Sequence, residues 1–132
     1  MRTLLIVDGA NVVGSRPDGW WRDRMAAAVR LRDQLVDVAG RGLPELTGPL
    51  EVVLVVEGAA RGLPPAGGVR IGAALGSGDD LIVEIAAEGG PDRRVVVVTA
   101  DRRLRDRVTD VGAQVRGPRW LTRQLTGPVS EF

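Results

Sequence analysis

Apolar residues along this chain come in two rhythms. Short uninterrupted runs, such as Leu4-Leu5-Ile6-Val7, Val52–Val56 and Val95–Val98, read as strands buried on both faces of a parallel sheet. Between them, apolar residues recur every three or four positions, as in an amphipathic helix. The pattern predicts a first strand over 3–8. A helix over about 20–39 follows, with Met25, Ala28, Leu31, Leu35 and Val38 on one face. Gly40 and Gly42 stop it, and Pro44 to Pro49 is a loop. The second strand covers Leu50 to Glu57, the Gly/Pro-rich stretch Gly58 to Gly68 is expected to move, and Val69 to Ala73 forms a third strand. Ser77 opens a helix through about Glu88, with Asp80 at the third helical position, where a capping box would use it. A fourth strand over Val95 to Thr99 leads to a helix from Asp101 to Val111, ended by Gly112. Ala113 to Arg116 is the last strand, and Pro118 starts a final helix at the position proline prefers.

This βαββαβαβα order predicts a single α/β domain of Rossmann-like type over 1–126: a mainly parallel sheet with helices on both faces. Residues 127–132 are expected to form a flexible tail. There are no repeats and no sign of a second domain.

Composition removes whole classes of chemistry. The 132 residues include no cysteine and no histidine, which excludes disulfides, thiolate or imidazole metal sites, and histidine general bases. All 18 basic residues are arginine, so a P-loop lysine and a Schiff base are excluded as well. Any catalysis must come from carboxylates, hydroxyls, arginines or a bound metal. A net charge of +1 announces no nucleic-acid partner. No apolar run reaches the roughly 20 residues of a membrane span, and the start shows no signal-peptide pattern. A cytoplasmic protein without membrane contact is the expectation.

The carboxylates are placed more tellingly. Asp8 follows the first strand, Glu57 the second, and Asp101 lies two residues beyond the fourth. Asp79 and Asp80 begin the helix before that fourth strand, and Glu84 stands one turn after Asp80 on the same face. In a parallel sheet these groups converge on the edge where ligands bind. Carboxylates crowded together repel unless a cation compensates them, and oxygen donors alone suit Mg²⁺ or Mn²⁺. Each residue also has a plainer role. Asp8-Gly9 is a turn dipeptide, Asp79 and Asp80 favour a helix N-terminus, and Thr99-Ala100-Asp101 reads as an ordinary helix start. Glu57 and Glu84 suit a solvated surface. The argument for a site lies in their conjunction.

Three of these segments match a family. Asp8-Gly9-Ala10-Asn11, Gly78-Asp79-Asp80-Leu81-Ile82 and Val97-Val98-Thr99-Ala100-Asp101 resemble, in order and spacing, the motifs of NYN domains of the YacP-like branch of the PIN-like nuclease superfamily. Gly112-Ala113-Gln114-Val115 and Trp120-Leu121 resemble its closing strand and helix. The resemblance covers about residues 2–125, with Glu57 standing where relatives frequently carry aspartate. It implies a metal-dependent ribonuclease in which carboxylates hold one or two Mg²⁺ or Mn²⁺ ions for attack of water on a phosphodiester. Asp8, Asp80 and Asp101 are then the expected ligands, with Asp79, Glu57 and Glu84 as outer or alternate ones. Asn11 and Thr99 are expected to orient water, a carboxylate or the scissile phosphate; Asn11 could instead only shape its loop through an Asx-turn.

RNA as the partner rests on that resemblance alone. Arg16, Arg22 and Arg24, and Arg102, Arg103 and Arg105 beside Asp101, offer phosphate contacts, or a solvated face. Trp20-Trp21 could stack bases, although such a pair more often anchors a helix in a core. Two other functions stay open: a PIN-like domain that binds RNA or a protein partner, or a second copy of itself, without cleaving, and a Rossmann-like phosphatase or nucleotide-handling enzyme. The last is disfavoured by Gly9-Ala10-Asn11-Val12-Val13-Gly14, a poor match to G-x-G-x-x-G.

Overall fold

A computed structural model describes residues 2–125; the expected flexible tail lies outside the described residues. Five strands form one sheet: β1 (Leu4–Asp8), β2 (Glu51–Val56), β3 (Val69–Ala73), β4 (Val95–Val98) and β5 (Gln114–Arg116). Every pairing is parallel, in the order β3-β2-β1-β4-β5. The chain builds outward from β1 to β3 and then returns to place β4 on the free side of β1. The point where the order reverses therefore lies between β1 and β4.

Alternation along the strands explains the two layers of helices. Leu5 and Val7 of β1, with Val52, Leu54, Val96 and Val98, face one way, against α1 (Gly9–Gly14), α2 (Arg24–Arg41) and α5 (Pro118–Thr122). Leu4, Ile6, Val53, Val55, Val95 and Val97 face the other, against α3 (Gly78–Glu88) and α4 (Arg102–Asp110). Strands covered on both sides read as continuous apolar runs, because neither face needs polar residues.

Two local departures from the sequence pattern matter for the site. The chain makes a short helix, α1, directly after Asp8, where periodicity gave no signal because so short a helix holds little of a repeat. Asp8 is its N-cap. Also, the long helix starts at Arg24 rather than near Trp20. Gly19 has a left-handed φ of 76°, Trp20–Arg22 form a 3₁₀ turn, and the extended Asp23 caps α2 by accepting from Ala26 N at 2.9 Å. That turn leaves Trp20 half-buried and Trp21 57% exposed. At its far end α2 runs through Gly40 and stops at Gly42, whose φ of 76° no ordinary residue holds comfortably.

Candidate active site

The end of β1 meets the end of β4 at the reversal point, where ligands of open α/β sheets bind. Asp8 is only 5% exposed and Thr99 is fully buried. A carboxylate so placed is costly unless donors surround it. Thr99 Oγ1 donates to Asp8 Oδ2 at 2.8 Å, and the Asn11 backbone N–H points at Oδ1 from 3.4 Å. The same threonine hydroxyl accepts from Asp101 N at 3.1 Å. Asn11 closes the arrangement, its side-chain Oδ1 accepting from Ala100 N at 2.9 Å. Asp8, Asn11 and Thr99 thus lock the β1–α1 and β4–α4 connections together. Gly9 permits the close approach: a Cβ there would lie 2.5 Å from the carbonyl oxygen of Val55.

Three further carboxylates join from other elements. Glu57 follows β2, and its Oε2 accepts from Gly78 N at 2.7 Å, tying the end of β2 to the start of α3. Asp79 follows Gly78, its own N–H donating to Ser77 Oγ at 3.2 Å. Asp101 caps α4, with Oδ1 accepting from Leu104 N at 3.0 Å. Burial pushes the Asp8 pKa above its ordinary value, against the pull of its two hydrogen bonds, and the charges of Asp79 and Glu57 add to the rise. Asp79 is raised too, first by partial burial and then by Asp101 and Glu57, with Arg107 opposing and Asp80 adding. Asp79 and Glu57 thus both act on Asp8, and Asp101 and Glu57 both act on Asp79.

Among the described residues no three acidic side chains stand close enough to form a finished metal cage. In chemical type the four offer only carboxylate oxygens, the donors a hard divalent cation prefers, and a cation would relieve their mutual repulsion.

Other residues singled out in the sequence lie elsewhere. Asp80 projects to solvent with its side chain 84% exposed, and Arg107 Nη2 donates to its Oδ1 at 2.9 Å. Its expected capping partner Ser77 serves Asp79 N. Glu84, one turn on, is exposed as well. The charges of Asp101 and Glu57 both raise Asp79. Arg16 is half-buried and donates to Gln34 Oε1 at 2.8 Å; burial lowers its pKa, with Arg30 adding and Asp18 opposing. Arg22 lies over the Trp21 ring at 5.9 Å and Arg24 over Trp20 at 5.5 Å, both exposed. Arg102, Arg103 and Arg105 are exposed on α4. Arg107, which sequence reasoning passed over, stands between Asp79 and Asp80 in its influence, and only its helical phase on α4 hinted at this.

No protein-family model and no curated protein matches the chain. Solved structures do. Rae1 (YacP) from Bacillus subtilis superposes with a TM-score of 0.74 at 20% identity, over 93% of this chain and 72% of that one. A point-mutant form of the same protein gives a TM-score of 0.72 at 18% identity, over 92% of this chain and 73% of the other. The chain thus shares the fold of these YacP structures. The carboxylate edge described above lies on that shared fold. Among the described residues no helix is long and apolar enough to cross a membrane.

Proposed function

We propose that this chain is a metal-dependent endoribonuclease. The observation that carries the reading is the convergence of Asp8, Glu57, Asp79 and Asp101, from four different elements, at the reversal point of a parallel sheet. Burial and mutual repulsion raise two of them. Structural caps alone do not require four carboxylates on one edge. The YacP-like frame and the three sequence motifs support a nuclease over other Rossmann-like chemistries.

Asp8, Asp79 and Asp101 would hold Mg²⁺ or Mn²⁺, with Glu57 as a further oxygen donor. When bound, the metal supplies a water activated at neutral pH and stabilises charge building on the phosphodiester. The protein's part is orientation. Thr99 fixes one oxygen of Asp8 and the backbone of Asp101 with a single hydroxyl. Asn11 fixes the β4–α4 connection through Ala100 N. Both are positioning residues. Exposed Arg102 and Arg105 on α4 and Arg22 before α2 remain available to phosphates of the strand beyond the site, whereas Arg16 is engaged with Gln34.

One observation favours a second reading, a PIN-like domain that binds RNA or protein without cleaving. Asp101 and Glu57 each already serve a backbone N–H, as purely structural residues would. Incubating the protein with single-stranded and structured RNA, in Mn²⁺ or in EDTA, separates the two. Cleavage that needs both the metal and Asp8, tested with Asp8→Asn, supports the nuclease; intact RNA under all conditions supports the binding domain.

A further inference from the structure

On the α2 side of the sheet, against the acidic edge, lies a pocket of about 190 Å³. Leu54 and Val56 of β2 contribute to its apolar lining, Trp20 lines it from the turn before α2, Arg24 adds a charged group, and Glu57 lies at its border with its carboxylate held by Gly78 N. Gly9, next to Asp8, lines it too, so the pocket and the carboxylate edge are continuous. Its volume is well below the roughly 300–1000 Å³ of sites for drug-sized molecules, which suits one flat ring system. Trp20 packs partly on the core, edge-to-face with Trp21 at 6.0 Å and 87°. The Arg24 guanidinium stands 5.5 Å from the Trp20 ring centroid.

We propose that this pocket takes one nucleobase of a single-stranded RNA, the base next to the phosphate presented to the carboxylate edge. The assignment of RNA rests on the nuclease reading; the chemistry of the pocket stands beside it. A phosphate is a poor occupant, because the lining is mainly apolar. A nucleobase uses what is present. Its π-face stacks on Trp20 or under the Arg24 guanidinium. Its ring packs on Leu54 and Val56. Its edge carries ring acceptors that Arg24 serves. In a duplex that face is hidden in the stack, so the pocket selects single strands or an extruded base. Stacking tolerates every base.

The test uses a fluorescein-labelled single-stranded RNA of about ten nucleotides in EDTA, so that metal-dependent cleavage is absent, with one abasic site moved along it. In the wild-type protein, one abasic position is expected to weaken binding roughly five- to a hundredfold, while its neighbours cost little. In Trp20→Leu that position loses its special cost, and in Trp20→Phe part of it returns. Arg24→Gln, a change at an exposed position, reduces the cost without involving the core. A flat abasic profile in the wild type, no RNA binding, or an undiminished peak in both Trp20→Leu and Arg24→Gln overturns the proposal. A parallel cleavage assay in Mn²⁺ keeps the two readings apart. A Trp20-dependent peak without cleavage leaves the pocket standing and removes the nuclease; cleavage with a flat profile does the reverse.

Discussion

Two acidic regions of this molecule are built on opposite terms. Around the α2–β2 connection, carboxylates meet arginines. Glu45 accepts from Arg116, and from Trp120 Nε1 at 2.9 Å, while Glu51 accepts from Arg70 at 3.1 Å and from Arg93. The hydrogen bond from Arg116 is the main reason the Glu45 pKa falls below its usual range. At the carboxyl edge of the sheet, carboxylates meet one another, and Asp8 and Asp79 move the other way. A chain whose basic residues are all arginine could have spread them over both regions. Where it pairs them, the acids fix structure. Where it concentrates acids instead, the fold carries a local electrostatic cost that a cation would offset.

Replacing Asp8 by asparagine gives the largest expected break in that comparison. Shape and the Thr99 hydrogen bond survive, but the charge is gone. RNA cleavage in Mn²⁺ should fall on the order of a thousandfold, while Glu45→Gln leaves the rate unchanged. A rate assay on the two variants checks both halves. Thr99→Val comes next, because it strips Asp8 Oδ2 and Asp101 N of one shared partner in a fully buried place. It should cost about 1–3 kcal/mol in urea unfolding and roughly ten- to a hundredfold in rate. Thr99→Ser should recover most of both.

The smallest effect is the most diagnostic of the contrast, and it is read from melting temperature against pH in metal-free buffer. Asp8 has a folded-state pKa above its ordinary 3.8. The folded protein therefore holds that proton more tightly, and ionisation costs stability. The cost is absent below about pH 3.8, grows as the pH rises through the folded value, and stays constant above it. Asp8→Asn should accordingly gain on the wild type as pH rises across that window. Glu45 has a folded value below its ordinary 4.5, so its stabilisation is present above that value and is lost as pH falls through the folded pKa. Glu45→Gln should thus lose a little stability at neutral pH and none in strong acid. Curves that move in the same direction would erase the distinction between the regions.

Much of this was legible in the residues themselves. The valine-rich runs gave the strands, and the order of elements gave a parallel sheet, hence a shared edge for Asp8, Glu57 and Asp101. The two-sided helix layers follow from the same runs. The choice within Asp79-Asp80 was harder. Asp80 and Glu84 share a face, and that pairing suggests a ligand set when read along the chain. Yet Asp79 is the one in phase with buried Ile82 and Ala86, three and seven positions on, a phase the helical periodicity of the sequence already carries. Asp101 read as a helix start from the residues alone, whereas the extent of the short helix after Asp8 and the seating of Gly9 were less accessible. They depend on backbone geometry at single residues, such as the close pass of Gly9 by Val55, which no periodicity encodes. The pocket beside Trp20 needed the fold, because β2 and the turn before α2 meet only in three dimensions.

In the proposed site the inward face of α3 completes a cation-binding edge and its outward face does not. Mn²⁺ titrated by calorimetry into the wild type, Asp79→Asn and Asp80→Asn addresses it without relying on turnover. Binding in the wild type, at least about tenfold weaker in Asp79→Asn and unchanged in Asp80→Asn, is the expected result. Binding that is lost in Asp80→Asn and kept in Asp79→Asn, or no binding in the wild type, would contradict it.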